Sequence, residues 1–309
     1  MKEMGDVMYT EFIEYLTSFM DKDDIKTNEP MNKHTSFRVG GPARVFLTIR
    51  SEKILSKTLA FIKNRSLPYF VLGNGSNLLV SDLGYDGVII YLGEEFAGIK
   101  VDGTGIRSGA AAFLGKVARK ALEEELTGLE FAAGIPGSLG GGVVMNAGAY
   151  GGELSQVVTK VRVMDTDGKI LILEKEDLLL GYRTSVFKHE TYIILEVFME
   201  LQKGLKQEIQ GKMDEYTKAR IEKQPLEYPS AGSTFKRPEG HFAGKLIMDA
   251  GLRGYQVGGA QVSEKHCGFV INKGNATATD IRTLMKDVKG KVKEQFGIEL
   301  EAEVILLGE

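Results

Sequence analysis

Residues 133–152 read AGIPGSLGGGVVMNAGAYGG, with eight glycines and three alanines in twenty positions and no charged side chain. Long surface loops normally carry charge, and core segments carry more large apolar groups. Glycine is favoured where φ must be positive or where another group closely approaches the main chain. A flexible linker would be Gly/Ser-rich and polar. Here Ile135, Leu139, Val143, Val144, Met145 and Tyr150 interrupt the run and anchor it to a core. What remains is a bare backbone surface that suits a pyrophosphate or a flat ring lying against main chain. A glycine-rich packing segment between two layers would explain the same composition.

The rest of the chain bounds the choice. At 309 residues it exceeds the usual size of a single core, so two or three domains are expected. Apolar residues make up 43% and charged residues 26%, an ordinary globular composition. The net charge of -3 argues against a general nucleic-acid or anionic-membrane binder. The one cysteine, Cys267, excludes an intramolecular disulfide and fits a reducing compartment. The N-terminal MKEMGDVMYTEF has acidic residues and no apolar run, so it is not read as a signal peptide. No stretch approaches 18 consecutive apolar residues, so no membrane insertion is expected and a cytoplasmic location is.

Residues 11–20 read as a short helix, closed by the charged DKDDIKTNEP. RVFLTIR (44–50) and PYFVLG (68–73) read as strands flanking a helix from Ser51, a β-α-β unit whose strands should pair in parallel. GVIIYL (87–92) is a third strand and residues 110–125 form a helix with an apolar stripe. Thr166-Asp167-Gly168 marks a hairpin between VTKVRVMD and KILILE, and 192–201 is a further strand. Past Gly204 a charged helix leads into a second unit. There CGFVIN is a strand, Thr277 or Thr279 caps a helix bearing Ile281, Leu284, Met285, Val288, Val292 and Phe296, and residues 298–307 return as a strand.

Familiar motifs fail one by one. GNGSNLLVSD (73–82) follows a strand, but Leu78 stands where a dinucleotide fingerprint needs its third glycine, and no helix starts there. What is left, Gly73-Asn74-Gly75-Ser76-Asn77, is either a tight turn or an anion-binding nest. GAAAFLGKV (109–117) has the wrong spacing for a P-loop and lacks a Ser or Thr after Lys116. His34, His189, His241 and His266 show no metal-ligand spacing, so no metal site is expected. Cys267 is read as structural, and there is no G-x-S-x-G elbow. Ser233 in YPSAGSTFKRP sits in a constrained, basic turn, where it is a backbone cap or a proton donor. Arg183 and Glu303 are undecided on their own.

Taken in order, the patches do decide. GNGSNLLVSD, residues 128–153, GYRTSVFK (181–188), AGSTFKRPEGHFAGKLI (231–247), GGAQVSEKHCGFVIN (258–272) and LEAEVILLG (300–308) resemble the bacterial UDP-N-acetylenolpyruvoylglucosamine reductases. HTSFRVGGPA (34–43) adds a seventh motif, so the resemblance runs from about His34 to the C-terminus. It implies an α+β fold: a two-subdomain FAD-binding module of the vanillyl-alcohol-oxidase-like (PCMH) type at 34–203, divided at about residue 90. A C-terminal α/β substrate-binding domain at 204–309 would follow, with 1–33 as a helical extension.

The resemblance further implies noncovalent FAD, NADPH as hydride donor, and UDP-N-acetylglucosamine enolpyruvate as the substrate reduced in peptidoglycan precursor synthesis. Residues implied to hold the cofactor are Gly73, Asn74, Gly75, Ser76 and Asn77, together with Gly134, Ile135, Pro136, Gly137, Ser138, Gly141, Asn146, Gly148 and Ala149. Arg183 matches the family arginine that would bind the substrate carboxylate, a planar fork suited to bidentate pairing. Glu303 matches the glutamate polarising the developing enolate, and Ser233 the serine delivering a proton to the α-carbon. Lys223, Arg237 and His266 are implied on the substrate, the first two toward its UDP phosphates. With only a short link between Leu201 and the helix at Lys212, the chain resembles the shorter subfamily lacking an inserted tyrosine-bearing lid. Two rival readings are a flavin oxidase of the same superfamily and a flavin- or nucleotide-sugar-binding protein without activity.

Overall fold

The computed structural model describes residues 2–308, with side chains from Val7 onward. Its helices are α1 (Lys2–Thr17), α2 (Glu52–Arg65), α3 (Leu114–Glu123), α4 (Leu139–Val144), α5 (Lys206–Lys223), α6 (Ala243–Asp249) and α7 (Ala278–Phe296). None is long and apolar enough to cross a membrane. The chain forms two compact units that do not follow it linearly. The first comprises Met1–Asn28, Val45–Gly73 and Gly87–Thr217; the second comprises Glu29–Arg44, Asn74–Asp86 and Lys218–Glu309.

In the first unit α2 begins as expected, with the Ser51 hydroxyl accepting the N–H of Ile54, and buries Leu55, Leu59 and Ile62. The strands Pro42–Ile49 and Tyr69–Leu72 share one sheet, but they are not neighbours. Tyr85–Leu92 lies between them and pairs in parallel with Tyr69–Leu72. That central strand is buried along most of its length, so it suits an interior position better than an edge. The outer strand beside Pro42–Ile49 is Ile25–Pro30, in the segment read as a helix-closing charged run. Its exposed Lys26-Thr27-Asn28 carry no hydrophobic alternation, which is why the sequence pattern hides it.

A second, antiparallel sheet of the first unit runs Ile170–Glu174, Val158–Met164, Ile193–Glu200, Gly105–Gly109, Ile99–Asp102. The expected Asp-Gly hairpin closes its first pair: Asp165 accepts the N–H groups of Asp167 and Lys169, and Gly168 has φ of 77°. Helix α3 begins at Leu114 rather than at residue 110. The N–H groups of Ala110 and Ala111 are bonded to Leu195 and Phe96 carbonyls, which holds 110–113 outside the helix.

Helix α1 starts well before residue 11 and belongs to the core of this unit, with Phe12 and Leu16 wholly buried and Tyr9, and Met20 just past the helix, nearly so. Phe12 and Tyr15 meet the Phe61 ring of α2, each at a centroid distance of 5.1 Å. Nearby, the Tyr69 hydroxyl is buried without a hydrogen-bond partner, and burial pushes its pKa above the usual phenol value. An unpartnered buried hydroxyl costs about 1–3 kcal/mol. Tyr69→Phe is therefore expected to raise the urea midpoint or leave it unchanged, whereas a loss of about 1 kcal/mol would mean the hydroxyl is bonded.

The second unit is an antiparallel sheet ordered Ser230–Ser233, Phe269–Asn272, Ala260–Val262, Gln256–Val257, covered by α7. Thr277 caps α7 in a reciprocal capping box with Asp280, and Gly297, at φ of 70°, ends it. Ile281, Leu284, Met285, Val288 and Val292 are buried as their spacing requires, and Cys267 is buried beside them. The expected strand over 298–307 is confined to Ile305–Leu307. It pairs in parallel with Leu78–Val80 as a separate two-stranded ribbon, outside the four-stranded sheet. Leu300 and Val304 are buried in the core of this unit instead of alternating along a ladder.

Candidate functional site

The glycine-rich stretch of 133–152 combines both readings of its composition. Ser138 caps the short helix α4 by accepting the Gly141 N–H. Gly140 and Gly142 are packing glycines: a Cβ would come within 2.9 Å of Ala110 Cβ and of Leu114 Cδ1, respectively. Gly141 points the other way, is exposed, and would bring a Cβ near only the Ser138 hydroxyl. The N–H groups of Leu139, Gly140 and Gly142 are all bonded within the protein, so the start of α4 offers fewer free donors than its composition suggests. Gly134, Ile135 and Pro136 lead into this cap with partial or full exposure, while Gly137 is buried and its carbonyl accepts from Leu114.

After α4 the chain turns sharply. Asn146, Tyr150 and Gly151 all have positive φ, of 42°, 53° and 83°. Gly148–Ala149 folds back on Gly152–Glu153 as a two-residue ribbon. Asn146 is wholly buried; its Oδ1 accepts from Ser155 and its Nδ2 donates to the Gly181 carbonyl at 3.1 Å. This ties the glycine-rich segment to the loop carrying Arg183. Arg183 itself has φ of 54°, a conformation that costs a non-glycine residue about 1–2 kcal/mol and clusters at functional sites. Its Nη2 donates to the Gly148 carbonyl at 3.4 Å, and its guanidinium lies over the Tyr182 ring. Gly73 sits against the same segment, where a Cβ would fall 2.5 Å from the Ser138 hydroxyl.

In the second unit, residues 74–77 form the turn before Leu78–Val80. Gly75 has φ of 59°, and a Cβ there would lie 1.9 Å from the His34 carbonyl oxygen, so only glycine fits. Among the described residues no protein acceptor meets the N–H groups of Gly75, Ser76 and Asn77. The side-chain Nδ2 of Asn74 is likewise buried with no partner. Such a cluster of orphaned, uncharged donors is what an anionic group would satisfy.

Asn77 Nδ2 donates to the Glu303 carbonyl at 3.0 Å, and the Glu303 N–H donates to the Thr234 carbonyl at 2.9 Å. The turn, the residue after Ser233, and Glu303 are thus knitted together within one unit. Ser233 is exposed at the end of its strand, after Gly232 with φ of 75°. A register shift between Ser230 and Ser233 breaks the regular pairing with Phe269–Asn272. Bulges of this kind re-aim side chains. Thr234, which sequence reasoning missed, is buried and anchors the bulge by accepting the Val270 N–H. Its place directly after the serine is the one hint the sequence held.

Lys223 is exposed in the last turn of α5, and the Lys265 ammonium caps the nearby Ile221 carbonyl at 2.7 Å, bringing the His266 segment to that helix end. The Arg237 guanidinium lies 4.4 Å from the Phe242 ring centre.

Residues 224–307 match the family model described as UDP-N-acetylenolpyruvoylglucosamine reductase, C-terminal domain, and residues 43–174 match the FAD binding domain model. A UDP-N-acetylenolpyruvoylglucosamine reductase from Lachnoclostridium phytofermentans is 49% identical over 306 residues, covering 98% of this chain and 99% of its own. The chain belongs to the UDP-N-acetylenolpyruvoylglucosamine reductase family. A family member from Clostridium botulinum (strain Alaska E43) is 52% identical over 295 residues, 95% of this chain and 97% of its own. The crystal structure of the Thermus caldophilus enzyme superposes with a TM-score of 0.78 at 36% identity, covering 90% of this chain and 97% of that one. The fold is therefore the α+β arrangement that the family resemblance implied, an FAD-binding module joined to the family's C-terminal domain.

Within this family member His266 has a fixed tautomer. The Gly268 N–H donates to Nδ1 at 3.1 Å, so the neutral ring carries its proton on Nε2 and can donate it outward. Burial pushes its pKa below the usual imidazole value. Because the folded value is depressed, its stability contribution is complete above the ordinary imidazole pKa. That contribution is lost as pH falls through the folded value. In a 15N NMR titration His266 is expected to remain the Nε2–H form at about pH 6.5, where a free imidazole is half protonated. A half-protonated ring at that pH would contradict this assignment.

Proposed function

We propose that the protein catalyses the NADPH-dependent, FAD-mediated reduction of UDP-N-acetylglucosamine enolpyruvate to UDP-N-acetylmuramate in peptidoglycan precursor synthesis. The observation that carries this reading is near-full-length similarity, about half of all positions identical, to relatives bearing that enzyme's name. When bound, FAD supplies a hydride carrier between NADPH and the β-carbon of the enolpyruvyl group. The unpartnered Asn74 amide and the N–H groups of Gly75, Ser76 and Asn77 fit its pyrophosphate without a lysine. Gly73, Gly134, Ile135, Pro136, Gly137, Ser138, Gly141, Asn146, Gly148 and Ala149 complete the proposed cofactor set, with Gly141 as the bare, outward main-chain position.

Arg183 would bind the substrate carboxylate with its guanidinium fork and hold the enolpyruvyl group in register. Negative charge builds on the α-carbon and carboxylate as the β-carbon is reduced, and Glu303 would polarise that developing enolate. Ser233 would hold the proton at Oγ and deliver it to the α-carbon. A hydroxyl is a weak acid near neutral pH, but a carbanion-like centre is far more basic, so the transfer runs downhill. Lys223, Arg237 and His266 would bind the nucleotide-sugar, the first two through charge on its phosphates and His266 through its Nε2–H. A cytoplasmic location, with neither a nucleic-acid partner nor membrane insertion, belongs to the same reading; the single buried thiol and the net charge of -3 support it.

The reading is tested by anaerobic stopped-flow absorbance in the visible flavin band. NADPH is expected to bleach the purified holoenzyme, and UDP-N-acetylglucosamine enolpyruvate to restore its colour. Bleaching without recovery would sink the substrate assignment, and a colourless protein would sink the cofactor.

A further inference from the structure

We propose that Tyr216 is a positioning residue for the nucleotide-sugar reaction, holding the tip of the glycine-rich segment and, through it, Arg183. The inference rests on the function proposed above. Helix α5 is highly polar and buries only Ile209 and Met213, so a large aromatic residue on it calls for a partner. Tyr216 has one: its ring stacks on Tyr150 with centroids 4.6 Å apart and planes 4° from parallel. Tyr216 is half-buried against the main core of the first unit, whereas Tyr150 is 43% exposed. The anchored ring therefore holds the more exposed one.

Tyr150 needs holding. It occupies the left-handed region beside Gly151, four residues after Asn146 in the same region. Such a conformation in a bulky residue persists only where its surroundings over-determine it. Asn146 fixes one end of the tip through Ser155 and Gly181, and the stack is the side-chain contact at the other. Between them lies Gly148, whose carbonyl accepts the Arg183 Nη2. A tip released at Tyr150 shifts that acceptor, and the guanidinium proposed to meet the substrate carboxylate loses its bearing.

The stack uses the ring face and not the hydroxyl, which sets the test. Tyr216→Leu keeps apolar packing and removes the stack; Tyr216→Phe keeps both. In the full-length holoenzyme Tyr216→Leu is expected to raise KM for UDP-N-acetylglucosamine enolpyruvate about tenfold, the scale of a lost aromatic pair, with kcat and flavin content near wild type. Tyr216→Phe is expected to restore the wild-type KM. The chain contains no tryptophan, so Tyr216→Trp introduces a single reporter whose emission should change as substrate is titrated. An unchanged KM in a folded, flavin-loaded Tyr216→Leu protein overturns the proposal, as does failure of Tyr216→Phe to rescue. Wild-type enzyme that fails to turn over sinks the functional reading instead, and that failure is visible before any variant is made.

Discussion

Replacing Ser233 by alanine should leave flavin reduction by NADPH at its wild-type rate and slow reoxidation by the enolpyruvyl substrate by about 10²-fold or more. The physical ground for separating the two steps is that hydride transfer to the cofactor needs no proton from Ser233. Saturation of the substrate's double bond needs one at the α-carbon. The structure also limits what else the change could do. Ser233 is exposed, and the bulge that presents it is held by main-chain and Thr234 contacts that alanine preserves. Stability should therefore move by no more than about 0.5 kcal/mol, the usual range for an exposed position. Wild-type rates in both half-reactions would make Ser233 a structural residue and return the proton to another donor.

Removal of residues 1–20 should leave a chain that does not fold. No task for this helix follows from the family motifs, which begin only at His34. Yet Tyr9, Phe12, Leu16 and Met20 are all buried in the core shared with α2 and the sheets of the first unit. At about 1.5–3 kcal/mol for each buried large side chain, their loss removes on the order of 6–12 kcal/mol. That rivals the whole stability of an ordinary protein, about 5–15 kcal/mol. Circular dichroism of the truncated chain should show no cooperative melting transition. A truncated protein that melts near the wild-type temperature would mean that α1 only shields a surface already packed beneath it.

Local signals carried much of the fold. Helix α7 declares its start in Thr277 and Asp280, its face in five buried apolar residues, and its end in Gly297. The Asp-Gly turn at 165–168 was equally readable, because its hydrogen bonds lie within five residues. What failed depends on distant partners. Tyr85–Leu92 entered between two strands that follow each other in sequence, and no periodicity reports which neighbour a strand will choose. The last strand is shorter than its apolar pattern because Leu300 and Val304 are buried by the core of their unit and not by a ladder.

The site divides in the same way. The residues proposed to carry its chemistry lie in linear motifs, and the family resemblance implies them by number. Which glycines pack and which face outward could not be read from a run in which Gly140, Gly141 and Gly142 look alike. Their neighbours, Ala110 and Leu114, come from elsewhere in the chain. Nor could the Tyr150–Tyr216 stack be seen, with the two residues sixty-six positions apart in sequence.

The ribbon formed by Leu78–Val80 and Ile305–Leu307 has a consequence for biosynthesis. Among the described residues the earlier strand has no other sheet partner, and Asp82 just beyond it accepts the first N–H groups of α7. Translation delivers residues 74–86 long before either companion exists, and closing so large a loop is slow. The turn proposed to grip the cofactor's phosphates therefore lacks its companion strand until residues 305–307 have been made. Flavin capture should then come late in synthesis, and a chain cut before Ile305 should emerge without the cofactor.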